Sequence, residues 1–72
     1  MPLLMGDLNK EYIIFKIKGN EKVINHLKSL GFVENAKIEI LQKTSGGLIV
    51  KLYESRLAFD QSLASKILVK EA

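Results

Sequence analysis

Apolar and polar residues alternate in several short segments of the chain, a pattern typical of β-strands that bury one face. The first segment runs from Glu11 to Lys18, and its spacing predicts that Ile13, Phe15 and Ile17 face the core. In the second segment, from Ala36 to Lys43, apolar residues again alternate with charged ones. We therefore expect a protein built mainly from short strands.

A helix is predicted between these two strands. Asn20 is a favourable N-cap, and the helix from Glu21 to Leu30 carries apolar side chains at helical spacing, namely Val23, Ile24, Leu27 and Leu30. Gly31 stands where a helix commonly ends with one residue at positive φ, because glycine has no Cβ to clash. This ending pairs Leu27 with Phe32 in an apolar contact.

The second half of the chain predicts a hairpin, a short strand, a short helix and a final strand. Thr44 to Gly47 is rich in turn residues, and it separates the second strand from the third. The predicted elements that follow are a third strand from Leu48 to Tyr53, a turn at Glu54-Ser55, a fourth strand from Arg56 to Phe59, a helix from Gln61 to Lys66 capped by Asp60, and a fifth strand from Ile67 to Lys70. No linker or repeat divides the sequence, so residues 1–72 are expected to form one domain.

These elements predict a mainly β fold with short helices. About five short strands cannot form two packed sheets of useful size, whereas one bent sheet that closes on itself buries more surface. We therefore expect a small SH3-like barrel of about five strands, with a helix between strands 1 and 2. The predicted core consists of Ile13, Phe15, Ile17, Val23, Leu27, Leu30, Ile38, Ile40, Val50 and Leu52.

The net charge of +3 raises the question of nucleic-acid binding. The basic residues are spread along the chain with acids between them, so nucleic acid is not the expected partner. The exception would be a cluster that forms only in the fold, from Lys16, Lys18, Lys51 and Arg56. The chain has no cysteine, no signal-peptide pattern at its N-terminus and no apolar run long enough to span a membrane, so a cytoplasmic location is expected.

Residues that could carry catalysis or hold a metal ion are sparse. The chain has no cysteine and one histidine, His26, and its carboxylates are scattered, so we do not expect an enzyme or a dedicated cofactor. A weak divalent site for iron or zinc would need His26 together with Glu21, Glu34 or Asp7. The glycines at 19 and at 46–47 read as turns because neither belongs to a phosphate-binding motif.

The remaining candidate for function is a protein-binding surface. Several strand positions predicted to point outward are apolar, and small soluble domains seldom expose contiguous apolar area without a partner. Coverage of some of these side chains by the helices is the competing explanation. The predicted partner-binding patch consists of Ile14, Leu41, Ile49 and Tyr53, with Lys16, Lys51 and Arg56 as its polar rim.

The order of elements, together with certain residues, resembles the FeoA family. The matching segments are Leu8, Lys16 to Gly19, Leu27, Leu30 to Val33, Ala36 to Ile40, Gly47 to Leu52, Ser55 to Ala58 and Ala64 to Val69. The resemblance covers nearly the whole chain, and its specificity lies in the joint spacing of the segments. The departures fall in turns: Glu34-Asn35 replaces a frequent Pro-Gly, and Glu54 replaces a common glycine.

The resemblance implies an SH3-like barrel, which also occurs as the C-terminal domain of iron-dependent repressors. It implies an accessory role in bacterial ferrous iron transport beside FeoB, a membrane permease with a cytoplasmic GTPase domain. The family has no agreed catalytic residues to carry over. The first hypothesis is therefore a module that docks on the permease and modulates iron uptake. The alternatives are a metal-responsive regulatory module and, less favoured, a basic nucleic-acid-binding barrel, and self-association is compatible with each.

Overall fold

The computed structural model describes residues 1–72, and the predicted order of strands and helices is confirmed. After a 3₁₀ turn at Leu3–Met5, the elements are β1 (Glu11–Ile17), α1 (Glu21–Ser29), β2 (Lys37–Lys43), β3 (Gly47–Leu52), β4 (Ser55–Asp60), α2 (Gln61–Lys66) and β5 (Ile67–Glu71). The bounds differ from the predicted ones by one residue at most. The turn between β3 and β4 comprises Tyr53 and Glu54, one residue earlier than predicted.

The five strands form one antiparallel sheet in the order β4-β3-β2-β1-β5. Its outer strands, β4 and β5, do not pair with each other, so the expectation that the sheet closes by strand pairing is wrong. Helix α2 connects these two strands and contacts both of them, as well as β3 and the 3₁₀ turn. The two edge strands are therefore linked by a short helix and not by strand pairing.

Local signals in the sequence set both ends of α1. The Asn20 side chain accepts a hydrogen bond of 2.9 Å from the Val23 N–H, as an N-cap does. At the other end, Gly31 has a φ of +99°, and the Phe32 N–H donates to the Leu27 carbonyl at 3.0 Å. This is the predicted Schellman ending, and both Leu27 and Phe32 are buried in the core.

The prediction that Phe15, at the centre of β1, faces the core is wrong. Tyr12 and Ile14 are buried, whereas Phe15 is 42% exposed. Against β5, Ile14 pairs with Val69 and Lys16 pairs with Leu68, so Phe15 is an extra residue in a β-bulge. The bulge shifts the alternation by one position, which is why Ile17 packs against the core as predicted although Phe15 does not.

The buried Tyr12 brings a polar atom to the core. Its hydroxyl oxygen accepts a hydrogen bond of 2.8 Å from the Asp7 N–H, so this oxygen has a partner within the protein. Tyr12 was not among the predicted core residues. Of those that were, Leu27, Ile38, Ile40, Val50 and Leu52 are buried, and Ile13, Ile17 and Val23 are half-buried. Leu30 is 44% exposed, because it is the C-cap residue and Phe32 turns back into the core in its place.

Candidate docking surface on the outer face of the sheet

A row of charged side chains crosses the outer face of the sheet. Glu11 on β1 lies opposite Glu39 on β2, Glu39 lies opposite Lys51 on β3, and Lys51 lies opposite Arg56 on β4. Directly opposite residues project from the same face of an antiparallel sheet. The row therefore presents two acids on one side and two bases on the other.

A groove of about 330 Å³ runs beside this row. It is lined by Glu11, Asn35, Ala36, Lys37, Ile38, Glu39, Lys51 and Tyr53. Charged side chains of both signs and one aromatic ring therefore border the same depression. Such a lining can orient a partner by its charges while the ring supplies apolar contact area.

Tyr53 is the most distinctive residue of this surface. Its side chain is 65% exposed, and its backbone φ of 55° lies in the left-handed region. A residue with a Cβ is disfavoured there by roughly 1–2 kcal/mol, which is why two-residue hairpin turns usually carry glycine, asparagine or aspartate. The tyrosine therefore occupies a position where its backbone is strained, and such outliers cluster at functional sites.

Four of the predicted patch residues lie on or beside this face. Lys51 and Arg56 belong to the charged row, and Tyr53 follows on the β3–β4 turn. Ile49 is half-buried on β3, opposite Ala58 on β4. The structure thus brings Ile49, Lys51, Tyr53 and Arg56 together on two neighbouring strands and their turn.

Leu41 occupies a less regular position near the same face. The register of β2 against β3 shifts between Ile40 and Gln42, so Leu41 is the extra residue of a second bulge. It is half-buried and immediately precedes Gln42, which lies opposite Ile49. Leu41 is therefore a border residue of the patch, with limited area to offer a partner.

Ile14 is not part of any surface. It is fully buried, and its partner Val69 on β5 is buried as well. The sequence analysis predicted that Ile14 faces outward because it assumed regular alternation through the whole of β1. The bulge at Phe15 invalidates that assumption, so the prediction for Ile14 is wrong.

Lys16 is exposed but lies away from the patch. It pairs with Leu68 on β5 and lines a second depression, of about 250 Å³, together with Ile17, Ile24, Lys28, Val33 and Glu34. In the sheet, β2 stands between β1 and β3, which carries Lys51. The single basic cluster that nucleic-acid binding would need is therefore not formed.

The groove residues Glu11, Asn35, Lys37 and Glu39 were missed by sequence reasoning. Each is an ordinary outward polar residue in its own segment, and only the strand register places them together. No local signal in the sequence marks them. A site assembled from one or two residues per strand becomes visible only when strand pairing is known.

The candidate acid–base and metal-binding side chains do not gather at one site. His26 is exposed on α1, and its backbone carbonyl accepts a hydrogen bond from the Ser29 hydroxyl. No three His, Asp or Glu side chains converge on a point where they could hold a metal ion. A hydrogen bond from Lys10 to the Glu71 carboxylate, 2.6 Å long, raises the pKa of Lys10, but this exposed pair lies outside the groove.

Two further comparisons gave negative results, one for membrane-spanning helices and one for proteins of curated function. No helix of the structure has the length and apolar character needed to cross a bilayer. No protein of curated function has a significantly similar sequence.

Solved structures of FeoA proteins share this fold. An iron uptake regulatory protein, FeoA, has 25% sequence identity and a TM-score of 0.89, with 99% of this chain and 95% of that chain covered. The zinc complex of FeoA from Stenotrophomonas maltophilia, described as a prokaryotic SH3 domain protein, has 22% identity and a TM-score of 0.84, with 97% and 89% covered. The predicted SH3-like class is confirmed.

The same fold occurs inside larger metal-dependent repressors. A manganese-dependent transcriptional repressor superposes with a TM-score of 0.90 at 13% identity, over 100% of this chain and 41% of that chain. At this identity the likeness concerns the fold alone. A family model for the FeoA domain, in contrast, matches residues 1–71. Because this match spans nearly every residue, the chain belongs to the FeoA family.

Proposed function

We propose that this protein is an accessory factor of ferrous iron transport that docks on a FeoB-like membrane permease through Ile49, Lys51, Tyr53 and Arg56, with Leu41 at the border. Membership in the FeoA family implies the accessory role in ferrous iron transport. The observation that carries the docking proposal is the exposed, backbone-strained Tyr53 beside the cross-strand bases Lys51 and Arg56. Docking on the cytoplasmic GTPase region of such a permease requires a cytoplasmic location, which is part of this proposal.

Tyr53 has the properties of an interface anchor. An aromatic side chain buries a large area while losing few rotatable bonds, and Tyr and Arg are enriched among residues that dominate binding energy. The ring borders the groove, and 65% of the residue's surface stays exposed. The ring is therefore available for insertion into a pocket on a partner.

The charges beside Tyr53 indicate the character of the partner surface. Lys51 and Arg56 are cross-strand neighbours of like sign, and the single ion pair of the chain is Lys10–Glu71. Like charges directly opposite each other are unfavourable, and Glu39 on β2 lies opposite Lys51, so Arg56 is the base that has no acid opposite it. An acidic partner surface would offset this repulsion and would speed association at low salt.

The test uses the permease in detergent and the purified protein. Tyr53→Gly removes the ring and also relieves the strained φ, so it should weaken binding while leaving stability unchanged or raised. Met5→Ala is the matched control, because Met5 is 71% exposed and lies on the 3₁₀ turn, away from the patch. Binding is measured by calorimetry, and iron uptake is measured in cells.

The docking proposal would be contradicted by unchanged binding and uptake in variants of the patch. If Tyr53→Gly and Arg56→Ala both bind the permease and support uptake as well as the unmodified protein does, this surface is not the docking site. Loss of binding in Met5→Ala as well as in Tyr53→Gly would also count against the patch.

Divalent metal binding is the second candidate function. The structural relative from Stenotrophomonas maltophilia was solved with zinc, whereas transition metals bind three or four converging donors. This chain supplies only the cross-strand carboxylates Glu11 and Glu39 beside the groove. A resident metal site therefore does not fit these residues by themselves. Titration with Zn²⁺, followed residue by residue by NMR, tests this candidate, and shifts absent from Glu11 and Glu39 would exclude the pair as ligands.

A further inference from the structure

The two edges of the sheet are not equivalent. On β5, the Met1 amino group donates to the Val69 carbonyl at 2.9 Å, and the Val69 N–H donates back to the Met1 carbonyl at 2.7 Å. Pro2 forms an isolated bridge with Leu68 beside this pair. The N-terminal segment therefore covers part of the β5 edge. No segment of the chain pairs with the outer side of β4.

The free groups of β4 can be assigned from the hydrogen-bond pattern. The Gln61 N–H donates to the Gly46 carbonyl at 3.1 Å, which fixes the alternation of bonded pairs along the β3–β4 ladder. Ser55, Leu57 and Phe59 accordingly use their backbone groups toward β3. The residues that direct N–H and C=O groups away from β3 are Arg56, Ala58 and Asp60.

The sequence of this open edge is complementary to itself. If a second β4 strand pairs with it in antiparallel orientation about Ala58, Arg56 of one copy lies opposite Asp60 of the other copy. Both residues project from the same face of the sheet, four positions apart on one strand, so they cannot reach each other within one chain. Neither has an oppositely charged partner in the chain, where the single ion pair is Lys10–Glu71.

The core-facing side of β4 is also incompletely covered. Leu57 and Phe59 pack against the core but are half-buried, whereas their partners on β3, Val50 and Leu48, are buried. In the same antiparallel pairing, Leu57 of one copy lies opposite Phe59 of the other copy. The pairing thus extends the apolar layer at the place where the single chain leaves it exposed.

Asp60 can take part without giving up its structural role. One of its carboxylate oxygens, Oδ1, accepts a hydrogen bond of 2.9 Å from the Leu63 N–H and caps α2. The second carboxylate oxygen has no partner in the chain and is available to a guanidinium group. A cap and an intermolecular ion pair are therefore compatible at the same residue.

We propose that two copies of this chain associate through antiparallel pairing of their β4 edges around Ala58, with reciprocal Arg56–Asp60 ion pairs. The two-fold symmetry makes each contact occur twice, as in other isologous interfaces. A single pair of short strands is small beside the interfaces of stable dimers, so the dimer forms only at high protein concentration.

The experiment measures the purified protein alone, and its result is therefore independent of permease docking. Sedimentation velocity over a concentration series up to about 1 mM gives the dimer population. A sample mixed from isotope-labelled and unlabelled protein then gives intermolecular NOEs. We expect an NOE between the Leu57 Hα atom of one copy and the Phe59 Hα atom of the other copy. These two residues would form a closely spaced non-hydrogen-bonded pair.

Two variants and a control test the pairing. Ala58→Pro removes an N–H that points away from β3, where proline is tolerated in an edge strand, and it should abolish the dimer while the fold persists. Arg56→Glu places like charges opposite each other and should weaken dimerisation by about tenfold or more, as expected from losing two exposed ion pairs. Lys70→Glu makes the same change of charge on β5 and should leave dimerisation unchanged.

Three results would overturn the proposal. The first is a protein that stays monomeric throughout the concentration series. The second is a dimer that persists in folded Arg56→Glu or Ala58→Pro protein. The third is a set of intermolecular NOEs that arises from a segment other than β4.

Discussion

Three glycine-to-alanine substitutions provide a graded test of the backbone geometry, because the same methyl group meets three different surroundings. At Gly46, a new Cβ has no atom within 4 Å, and φ is not in the left-handed region. At Gly31, φ is +99° and the new Cβ lies 3.1 Å from Leu52 Cδ2, the mobile end of a side chain. At Gly47, the new Cβ would collide with the Phe59 carbonyl oxygen, which belongs to the backbone of β4.

These surroundings set the expected magnitudes. Gly46→Ala should leave the free energy of unfolding unchanged or raise it by about 0.4–1 kcal/mol, because alanine restricts the unfolded chain. Gly31→Ala should lower it by roughly 1–2 kcal/mol, mostly from the strained φ. Gly47→Ala should lower it by about 3 kcal/mol or more, since β3 and β4 must separate to admit the methyl group.

Urea denaturation of the three variants under identical conditions measures these differences through the midpoint and the slope. Thermal melting gives a second reading, at about 4–8 °C per kcal/mol for a chain of this size. Failure of Gly47→Ala to fold agrees with the expected order, because a small core rarely supplies more than about 3–5 kcal/mol. Equal destabilisation by Gly46→Ala and Gly31→Ala would refute the assigned turn geometry, and a neutral Gly47→Ala would refute the β3–β4 packing.

Five further substitutions test the core, the buried phenol and a helix cap. Leu27→Ala should lower the free energy of unfolding, measured with denaturant, by about 2–5 kcal/mol. Leu30→Ala should lower it much less because Leu30 is exposed. Equal losses would mean that the inward face of α1 is wrongly assigned. Tyr12→Phe should cost about 1–3 kcal/mol, since the Asp7 N–H loses its acceptor, and a neutral result would show that water replaces the phenol. Asp60→Ala should cost about 0.5–2 kcal/mol through the lost cap of α2, whereas Asp60→Asn should retain most of the stability because asparagine also caps.

The sequence predicted the elements whose ends depend on local chemistry. The caps at Asn20 and Asp60 and the glycine ending at Gly31 each act within a few residues, so a single chain shows them without any knowledge of the fold. The order of strands and helices followed from these ends and from the apolar spacing. Helix ends of this kind can be predicted from the sequence because the interacting atoms belong to residues that are close in the chain.

The sequence did not predict features that depend on strand pairing. Ile13, Ile14 and Phe15 are consecutive apolar residues, so two phases of alternation were available for β1. The pairing with β5, which is distant in sequence, selects the phase and creates the bulge. The charged row and its groove depend on register in the same way, and they became visible only when β1, β2, β3 and β4 were aligned.

The bulge in β1 has a consequence for how this strand tolerates changes of length. Ordinarily, loss of one residue inside a strand turns every following side chain to the opposite face. Here Ile14 and Ile17 both face inward with two residues between them, opposite Val69 and Ile67, which have one residue between them. Deletion of Phe15 would leave Ile14 inward, Lys16 outward and Ile17 inward, in regular register with β5. The centre of β1 therefore carries one spare residue, and a shorter relative can keep the same core at this point of the sheet.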